Sequence, residues 1–358
     1  MSTDFTSASF LGFRHAHGDL APWACLTTGR PPALDDKPDG ELTRGAARLL
    51  GTSDVLVRRT TLHALIDVLA AFASNGSTIL VDEGAYPIVN WATGATTSAG
   101  ARVVHYRHHD YEHAASQCRR VRQPVAVVTD GWCASCSRPA PLRELASISR
   151  RHHARIVIDD SLAVGVLGDR TAHSTGFGIG GTGTLEWLGA HEPGPVVVAS
   201  LAKAYGVPLA LVGGPRGVIR NIGHHEMSTI HASGPTAADR AALRGVLETD
   251  RTFLAAKRAR LEQRTQQLRH LLQRHGLRPI GLPFPFVQAE CDVDPVDLVR
   301  TLRRYGCHTL AITRRCGTEV DRAVLGCALR SDHSDTAIAS LDRAIGRALR
   351  ELRTGAVA

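Results

Sequence analysis

The sequence predicts an α/β protein whose mostly parallel sheet is covered by helices on both faces. Short apolar runs such as Val125–Thr129 and Val196–Ser200 are typical of strands that are buried on both sides. Segments with helical patterns, such as Thr61–Ala73 and Pro141–His152, separate these runs. Because parallel strands need crossover connections, this alternation favours a parallel sheet with helical crossovers.

The elements follow in a regular order after an irregular N-terminal arm. Residues 1–40 are rich in proline and turn-forming residues, and LTRGAARLLG at 42–51 indicates a short helix ended by Gly51. A further helix is expected near 111–121. The other predicted strands are Val55–Val57, Thr78–Val81, Arg102–Tyr106, Arg155–Asp159 and Leu209–Gly213.

The C-terminal part is predicted to form a small α+β lobe. A helix at about 250–275 carries leucines at near-heptad spacing and ends at Gly276. Strands near 284–289 and 308–313 and a helix near 335–352 follow. We therefore predict an N-terminal arm at 1–50, a large α/β domain at 51–250, and a connecting helix with a small domain at 251–358.

The composition excludes several classes of protein. With 43% hydrophobic and 21% charged residues, the chain is an ordinary globular one. The net charge of +8 favours acidic partners. The arginines form no basic block, however, so phosphate-bearing small molecules or an acidic carrier protein fit better than nucleic acid. The sequence shows no signal-peptide pattern and no apolar run long enough to span a membrane, and its eight cysteines are dispersed. These features predict a cytoplasmic protein with reduced thiols.

Lys203 is the first candidate catalytic residue. Of 42 Lys and Arg residues, only Lys37, Lys203 and Lys257 are lysines, and Lys203 alone has apolar residues on both sides, in VVVASLAKAYGVPLALVGG. A lysine that loses its proton attacks carbonyl carbon, whereas a guanidinium stays protonated. The competing interpretation is a lysine whose stem lies at the edge of a sheet and whose head reaches water.

Asp159 and Ser200 are expected to lie near Lys203. Asp159 ends the run RIVI, Ser200 ends VVVA, and ligands of open α/β sheets bind at the carboxyl ends of strands. An amine and a carboxylate in one crevice suit pyridoxal phosphate, whose ring nitrogen a carboxylate keeps protonated. Asp159 could instead be a capping or ion-pairing carboxylate.

Further cofactor contacts are predicted around these residues. Ser200 and the helix start at Arg59, Thr60 and Thr61 could bind the phosphate, since helix N-termini attract anions. Tyr86 offers an aromatic face for the ring, although a half-buried structural tyrosine is the simpler interpretation.

Four motifs in the same order and spacing resemble those of the α-oxoamine synthases, which are fold-type I pyridoxal phosphate enzymes such as aminooxononanoate synthase and aminoketobutyrate CoA ligase. Residues 127–168, from VVTDGWCASC to IVIDDSLAVGVLG, resemble the central block of that family. VASLAKAYG resembles its lysine motif, VVHYRHHDYEHA its Y-x-H-N-D segment, and GTGTLE its G-x-G-T-x-E. The resemblance covers roughly residues 50–240.

The resemblance implies roles for particular residues. Lys203 would form the Schiff base, Asp159 would pair with the pyridinium nitrogen, and Ser200 would contact the phosphate. The segment 228–233, with Thr229 and His231, would reach the phosphate of the other subunit's cofactor, so a homodimer with shared sites is expected. The family fold is a mostly parallel seven-stranded sheet with a small C-terminal lobe.

The implied reaction is C–C bond formation between an amino acid-derived carbanion and an acyl thioester, through a Schiff base and a quinonoid. Acyl-CoA or an acyl carrier protein would be the donor, and Lys203 would carry the proton.

Departures from the family pattern leave other reactions open. Leu162 stands where the family has a histidine, and Tyr86 replaces its ring-stacking histidine. Val324 and Gly326 stand where it has arginines that grip a carboxylate, and Arg314, Arg315, Arg322 and Arg330 are possible substitutes. Aminotransfer, aldol-type cleavage of a nonstandard amine and a catalytically silent scaffold are the alternatives.

Four other sequence patterns do not favour a further functional site. The G-x-G-x-x-G at 178–183 lies mid-chain after a loop, which does not suit a dinucleotide site. S-x-x-K at 200–203 lacks the companion motifs of serine acyl-enzymes. WCASC at 132–136 resembles a redox C-x-x-C but is more simply a pair of reduced cysteines, and the histidine pairs 108–109 and 152–153 predict no metal site.

Overall fold

The computed structural model describes residues 3–15, 39–121, 124–170, 176–190, 194–224, 228, 231–232, 234–314, 316 and 322–354. The strands are β1 Thr3–Asp4, β2 Asp54–Arg58, β3 Thr78–Asp82, β4 Arg102–Tyr106, β5 Pro124–Asp130, β6 Trp132–Cys133, β7 Arg138–Pro139, β8 Arg155–Asp159, β9 Val196–Ser200, β10 Ala210–Gly214, β11 Arg278–Pro279, β12 Phe286–Glu290, β13 Cys307–His308, β14 Leu310–Thr313 and β15 Ala323–Ala328. The helices in these ranges are α1 Gly40–Leu50, α2 Thr61–Phe72, α3 Pro87–Thr97, α4 Tyr111–Arg120, α5 Leu142–His152, α6 Thr184–Leu188, α7 Arg216–His224, α8 Ala237–Glu248, α9 Arg251–Arg274, α10 Pro295–Arg304 and α11 Asp335–Arg353.

The chain forms two compact units. The larger unit comprises Phe13–Cys133 and Pro139–Arg251, and the smaller comprises Met1–Gly12, Ala134–Arg138 and Thr252–Ala358. The domain boundaries at residues 50 and 250, which would divide the chain into an N-terminal arm, a large domain and a small domain, stay a prediction.

A seven-stranded sheet forms the centre of the larger unit. Its strand order is β2-β10-β9-β8-β5-β3-β4. β10 pairs antiparallel with both β2 and β9, and the other neighbours pair parallel. Six strands therefore run in one direction, so their carboxyl ends lie along one edge of the sheet.

Helices cover both faces of this sheet, because successive strand residues point to opposite sides. On β3, Ile79 and Val81 belong to the same apolar core as residues of α2, α3 and α7, whereas Leu80 between them belongs to the core that includes residues of α4, α5 and α6. All three residues are fully buried. Two apolar cores, one on each face, therefore fix the strands that carry the candidate site.

Local signals set the helix ends. The Asp39 carboxylate accepts hydrogen bonds from the backbone N–H groups of Glu41 and Leu42 at the start of α1, and Gly51 ends this helix at φ 65°. Thr236 and Asp239 form a reciprocal capping box at the start of α8.

The smaller unit is built around an antiparallel sheet of order β11-β12-β15-β14. β1 pairs parallel with β13, and Phe5 and Phe10, which follow β1, are fully buried. The Phe10 ring meets Phe284 edge-on with 5.9 Å between centroids. This part of the predicted N-terminal arm is therefore ordered by apolar burial, which its irregular sequence did not indicate.

The predicted strands of the larger unit agree with the structure to within one or two residues. Sequence reasoning missed the helices Pro87–Thr97, Arg216–His224, Ala237–Glu248 and Pro295–Arg304 and the strand Ala323–Ala328. α3 has the weakly helical sequence PIVNWATGATT, in which tertiary packing outweighs propensity. No helix in the described ranges combines the length and apolarity needed to cross a membrane.

Candidate active site

Polar residues end the six parallel strands along one edge of the larger unit's sheet. The last residues of β2, β3, β4, β5, β8 and β9 are Arg58, Asp82, Tyr106, Asp130, Asp159 and Ser200. Asp82, Asp130 and Asp159 are 2%, 8% and 8% exposed. This carboxyl edge therefore holds three buried carboxylates.

Lys203 lies in the turn that follows β9. Leu201 anchors this turn, because its N–H donates to the Leu209 carbonyl at 2.9 Å and its carbonyl accepts from Tyr205 at 3.1 Å. Lys203 is half-buried, and its Nζ lies 5.8 Å from the centroid of the Tyr86 ring. The structure thus brings together two predicted site residues that are 117 positions apart.

Asp159 and Ser200 are linked through Ser161. Asp159 Oδ1 accepts the backbone N–H of Ser161 at 3.0 Å, and Ser161 Oγ accepts the backbone N–H of Ser200 at 2.9 Å. Since β8 and β9 are neighbours in the sheet, these contacts fix Asp159 relative to the strand end that precedes Lys203.

Asp130 is a site residue that sequence reasoning missed. It is the direct neighbour of Asp159 across the β5–β8 pair, and its two carboxylate oxygens accept the Tyr86 N–H at 3.0 and 3.2 Å. Burial, with the nearby Asp159 charge, holds the pKa of Asp130 well above its usual value. The sequence did contain a signal for Asp130, because it ends the apolar run VVTD as Asp159 ends IVID.

Asp67 is a second residue that sequence reasoning missed. It is fully buried on α2, and Oδ2 accepts from Arg58 Nε at 3.1 Å and from Ser228 Oγ at 2.7 Å. Asp67 Oδ1 also accepts the Ser228 N–H at 2.9 Å. Asp67 therefore joins the end of β2 to the start of the segment predicted to reach a cofactor phosphate.

The other predicted phosphate contacts lie at the start of α2 and in the segment around His231. Thr60 caps α2 by accepting the His63 N–H at 3.2 Å, Arg59 beside it is exposed, and Thr61 begins the helix. His231 is exposed, and Thr229 lies outside the described residues.

The carboxyl edge fits pyridoxal phosphate by the chemistry of its side chains. In the described part of the chain neither Asp130 nor Asp159 forms an ion pair. The protonated ring nitrogen of the cofactor would therefore give these buried side chains a positively charged partner. An amine for covalent attachment and an aromatic face lie at the same edge, at Lys203 and Tyr86.

Three of the positions that depart from the family pattern are Leu162, Val324 and Gly326. Leu162 is half-buried and follows Ser161. Val324 and Gly326 lie on β15 of the smaller unit, where a Cβ on Gly326 would come within 2.1 Å of Ile312 Cδ1. An arginine at 326 would therefore require Ile312 to move.

The arginines considered as substitutes are mostly engaged within the smaller unit. Arg330 pairs with Asp332 at 2.9 Å, and Arg314 lies 3.5 Å from Glu290. Arg322 is exposed, and Arg315 lies outside the described residues.

The G-x-G-x-x-G at 178–183 forms the loop before α6, a helix of only five residues. Gly183, the residue before this helix, has φ 114°, a conformation that favours glycine. These glycines therefore serve a tight loop.

Comparisons with known proteins identify the family. The aminotransferase class I and II model matches residues 39–314. The chain belongs to this family. The 8-amino-7-oxononanoate synthase of Alkalilimnicola ehrlichii is 30% identical over 334 residues, which cover 87% of this chain and 78% of that protein. A putative 8-amino-7-oxononanoate synthase of Thermosynechococcus vestitus is 27% identical over 322 residues, covering 87% and 77%.

Solved structures agree on the fold. A serine palmitoyltransferase from S. paucimobilis superposes with a TM-score of 0.84 at 16% identity, covering 99% of this chain and 88% of that one. The 8-amino-7-oxononanoate synthase of Francisella tularensis gives a TM-score of 0.70 at 16% identity, covering 98% of each chain. The predicted fold type I, membership of the α-oxoamine synthases, transferase class and pyridoxal phosphate dependence are confirmed.

Proposed function

We propose that this aminotransferase class I and II member joins an amino acid to an acyl thioester, with loss of the amino acid carboxylate, as an α-oxoamine synthase. The observation that carries the proposal is the position of Lys203. It follows the carboxyl end of β9, its amine faces the Tyr86 ring, and the neighbouring strand ends in Asp159. Amine, carboxylate and aromatic face are the groups that pyridoxal phosphate chemistry requires.

Each residue has a distinct task in this proposal. Bound pyridoxal phosphate supplies an electron sink for the bond-breaking step. Lys203 holds the cofactor through Nζ, and Asp159 keeps a proton on the ring nitrogen. Tyr86 presents its ring face, and Ser200 with the start of α2 binds the phosphate.

Lys203 has a second task as proton carrier. Its Nζ, when not bound to the cofactor, takes a proton from the substrate carbon and returns it. Its apolar neighbours Leu201 and Ala204 are buried, so the turn that carries the amine is anchored in the core of the larger unit.

Asp130 positions Tyr86 in this proposal. The Tyr86 N–H is held by both carboxylate oxygens of Asp130, so the loop between β3 and α3 is fixed to the end of β5. A correctly placed aromatic ring loses less conformational entropy when the cofactor binds.

The substrate amino acid is one whose carboxylate is not held by arginine at positions 324 or 326. Ile312 fills the space beside Gly326, and Arg330 is paired with Asp332. A bidentate arginine clamp depends on its geometry, so the substrate carboxylate would be held by a different arrangement of side chains. Because arginine is missing at positions 324 and 326, aminotransfer or aldol-type cleavage is the second candidate reaction.

A homodimer with shared sites and a cytoplasmic location complete the proposal. Trp91 on α3, which begins next to Tyr86, is 70% exposed and is a candidate interface residue. The segment around His231 would then contact the partner's cofactor.

The test begins with the visible absorption of the purified protein after addition of pyridoxal phosphate. Wild type and Lys257→Ala should show a band that borohydride removes, and Lys203→Ala should lack it. Lys257 is the matched control, because it belongs to the smaller unit and its amine lies 4.9 Å from the Phe253 ring. Mass spectrometry of the reduced protein should find the cofactor on the peptide with Lys203.

The reaction is then tested with a panel of amino acids and acyl-CoA or acyl carrier protein thioesters. Release of free thiol together with carbon dioxide supports the proposal. Formation of a keto acid without thiol release would instead establish aminotransfer. A protein that binds no cofactor would exclude both and leave the scaffold hypothesis.

A further inference from the structure

Positive charge is concentrated in the smaller unit. Of the chain's 42 Lys and Arg residues 19 belong to this unit, and of its 34 Asp and Glu residues 12 do. The smaller unit therefore carries +7 of the chain's net charge of +8, and the larger unit is almost neutral. A charge of this size on one unit attracts acidic partners to that unit.

The exposed side of α11 carries a stripe of arginines. Arg343, Arg347 and Arg350 follow one another at intervals of four and three residues, and all three are exposed. Residues with this spacing lie on one face of a helix. Buried residues such as Leu341 and Ile345 lie on the opposite face of α11. The stripe is therefore the solvent side of an amphipathic helix.

The acidic side chains of α11 do not neutralise this stripe, because each of them is paired with an arginine outside the helix. The pairs are Asp335 with Arg264, Asp342 with Arg274, and Glu351 with Arg304. Within the described ranges Arg343, Arg347 and Arg350 form no ion pair. Their charges are therefore available to a partner.

The C-terminal end of α10 widens the charged surface. Arg304 and the Tyr305 hydroxyl both donate to the Glu351 carboxylate, the hydroxyl at 2.8 Å. The bond to Glu351 holds the pKa of Tyr305 above its usual value, although the charges of Arg304 and Arg347 lower it. Both arginines therefore lie near the same hydroxyl. We call this surface the α11 basic face, and its members are Arg304, Tyr305, Arg343, Arg347 and Arg350.

The α11 basic face suits an acidic protein better than a membrane or a nucleic acid. A helix that binds a membrane surface carries large apolar side chains beside its basic ones. Within α11, all of which is described, no large apolar side chain is exposed. The stripe is about 10 Å long at 1.5 Å per residue, which matches two turns of a partner helix. Grooves that follow a nucleic-acid strand span several nucleotides and add aromatic stacking surfaces.

We propose that the α11 basic face binds an acidic helix of the acyl carrier protein that bears the acyl thioester. Carboxylates one turn apart on such a helix would match the spacing of Arg343, Arg347 and Arg350. Arginine forms charge-assisted hydrogen bonds with carboxylates, and exposed charge pairs mainly raise the association rate and select the partner. This inference rests on the proposed function, because it names the carrier of the acyl donor in that reaction.

The first test measures binding of octanoyl-acyl carrier protein to the full-length holoenzyme by surface plasmon resonance. Wild type should bind, and its affinity should fall as the salt concentration rises, because salt screens exposed charges. The triple variant Arg343→Gln, Arg347→Gln, Arg350→Gln should bind about tenfold more weakly. The triple variant with lysine at these positions keeps the charges and should bind nearly as wild type does.

A matched control removes three arginines from other exposed positions of the smaller unit. Arg260→Gln, Arg278→Gln and Arg300→Gln lie on α9, β11 and α10 and change the net charge by the same amount. This variant should bind the carrier protein as wild type does. An equal loss of affinity in the two glutamine variants would overturn the proposal, because only net charge would then matter.

The second test compares kcat/KM for octanoyl-acyl carrier protein with kcat/KM for octanoyl-CoA. The triple glutamine variant of the basic face should lose about tenfold with the carrier thioester, through KM, and nothing with the CoA thioester. An equal loss with both donors would overturn the proposal, because the arginines would then bind the CoA phosphates. Unchanged CoA turnover also shows that the variant is folded.

Two further outcomes would overturn the proposal. One is a wild type that does not bind the carrier protein. The other is a wild type that binds phosphatidylglycerol vesicles through the same three arginines and not the carrier protein, which would establish a membrane surface instead. Because the binding measurement needs no turnover, it separates this proposal from the proposed function. Carrier binding through the basic face without product formation would retain the docking surface and refute the reaction.

Discussion

Asp160, which follows the candidate cofactor residue Asp159, provides a test of the electrostatics at the end of β8. Its carboxylate is 1% exposed and accepts hydrogen bonds from Thr184 N at 2.7 Å and Thr184 Oγ1 at 2.6 Å. Burial raises its pKa from 3.8 to about 6, although the bonds from Thr184 lower it. The ionised form is therefore disfavoured in the folded chain relative to the unfolded one.

The sign and size of the pH effect follow from this shift. Because the folded pKa is raised, the stabilising contribution of Asp160 is complete below pH 3.8 and is lost as the pH rises through about 6. The rise corresponds to about 3 kcal/mol of unfolding free energy. Asp160→Asn cannot ionise, so the stability of the variant relative to wild type should increase by about 3 kcal/mol across this window.

Urea denaturation at a series of pH values measures the difference in unfolding free energy between wild type and Asp160→Asn. Loss of a hydrogen bond to Thr184 costs the variant about 1 kcal/mol at every pH, so only the change with pH is diagnostic. A difference that stays constant between pH 3.8 and 6 would refute the reasoning.

Asp110→Asn is a control of opposite sign. The His113 N–H, with Arg107, holds the pKa of Asp110 below its usual value. Its stabilising contribution is present above the usual pKa and is lost as the pH falls. The Asp110 variant should therefore lose stability relative to wild type as the pH rises, by a smaller amount because Asp110 is more exposed than Asp160.

Three further predictions concern contacts around the carboxyl edge. Asp67→Asn removes the charge partner of buried Arg58 and should cost about 3–5 kcal/mol in urea denaturation, whereas Ser228→Ala should cost about 1 kcal/mol. Equal losses would contradict this assignment. Gly84→Ala should lower stability by about 1–3 kcal/mol by the same assay, since its Cβ would crowd the His108 imidazole, and an unchanged midpoint would argue against the close approach. Tyr86→Phe should bind pyridoxal phosphate as wild type does in equilibrium dialysis, whereas Tyr86→Ala should bind about 0.5–1.5 kcal/mol more weakly, and equal affinity of all three would exclude ring stacking.

Strand ends were predictable because their signals are local. RIVID and VVVAS are apolar runs that stop at a polar residue, and a parallel sheet places such ends on one edge. Lys203 could be singled out because only three lysines occur in the chain. The candidate residues and the family motifs were therefore visible without coordinates.

Contacts over long sequence separations were not predictable. Asp130 bonds Tyr86 across 44 positions, and Asp67 bonds Ser228 across 161. Neither spacing produces a periodic or compositional signal, because the partners meet only when the strand order is set. The missed helix Pro87–Thr97 has the same origin, since its buried face is defined by packing against the sheet.

The sequence by itself determined the fold class, the family, the cofactor and the lysine that is expected to hold it, because these depend on local patterns and on motif order. Tertiary structure alone decided which carboxylates are buried side by side, which one holds the Tyr86 loop, and that the Asp82 carboxylate bonds the His108 ring. The physical reason is that burial and charge interactions depend on distance in space. A single chain reveals that distance only after the seven strands have been ordered.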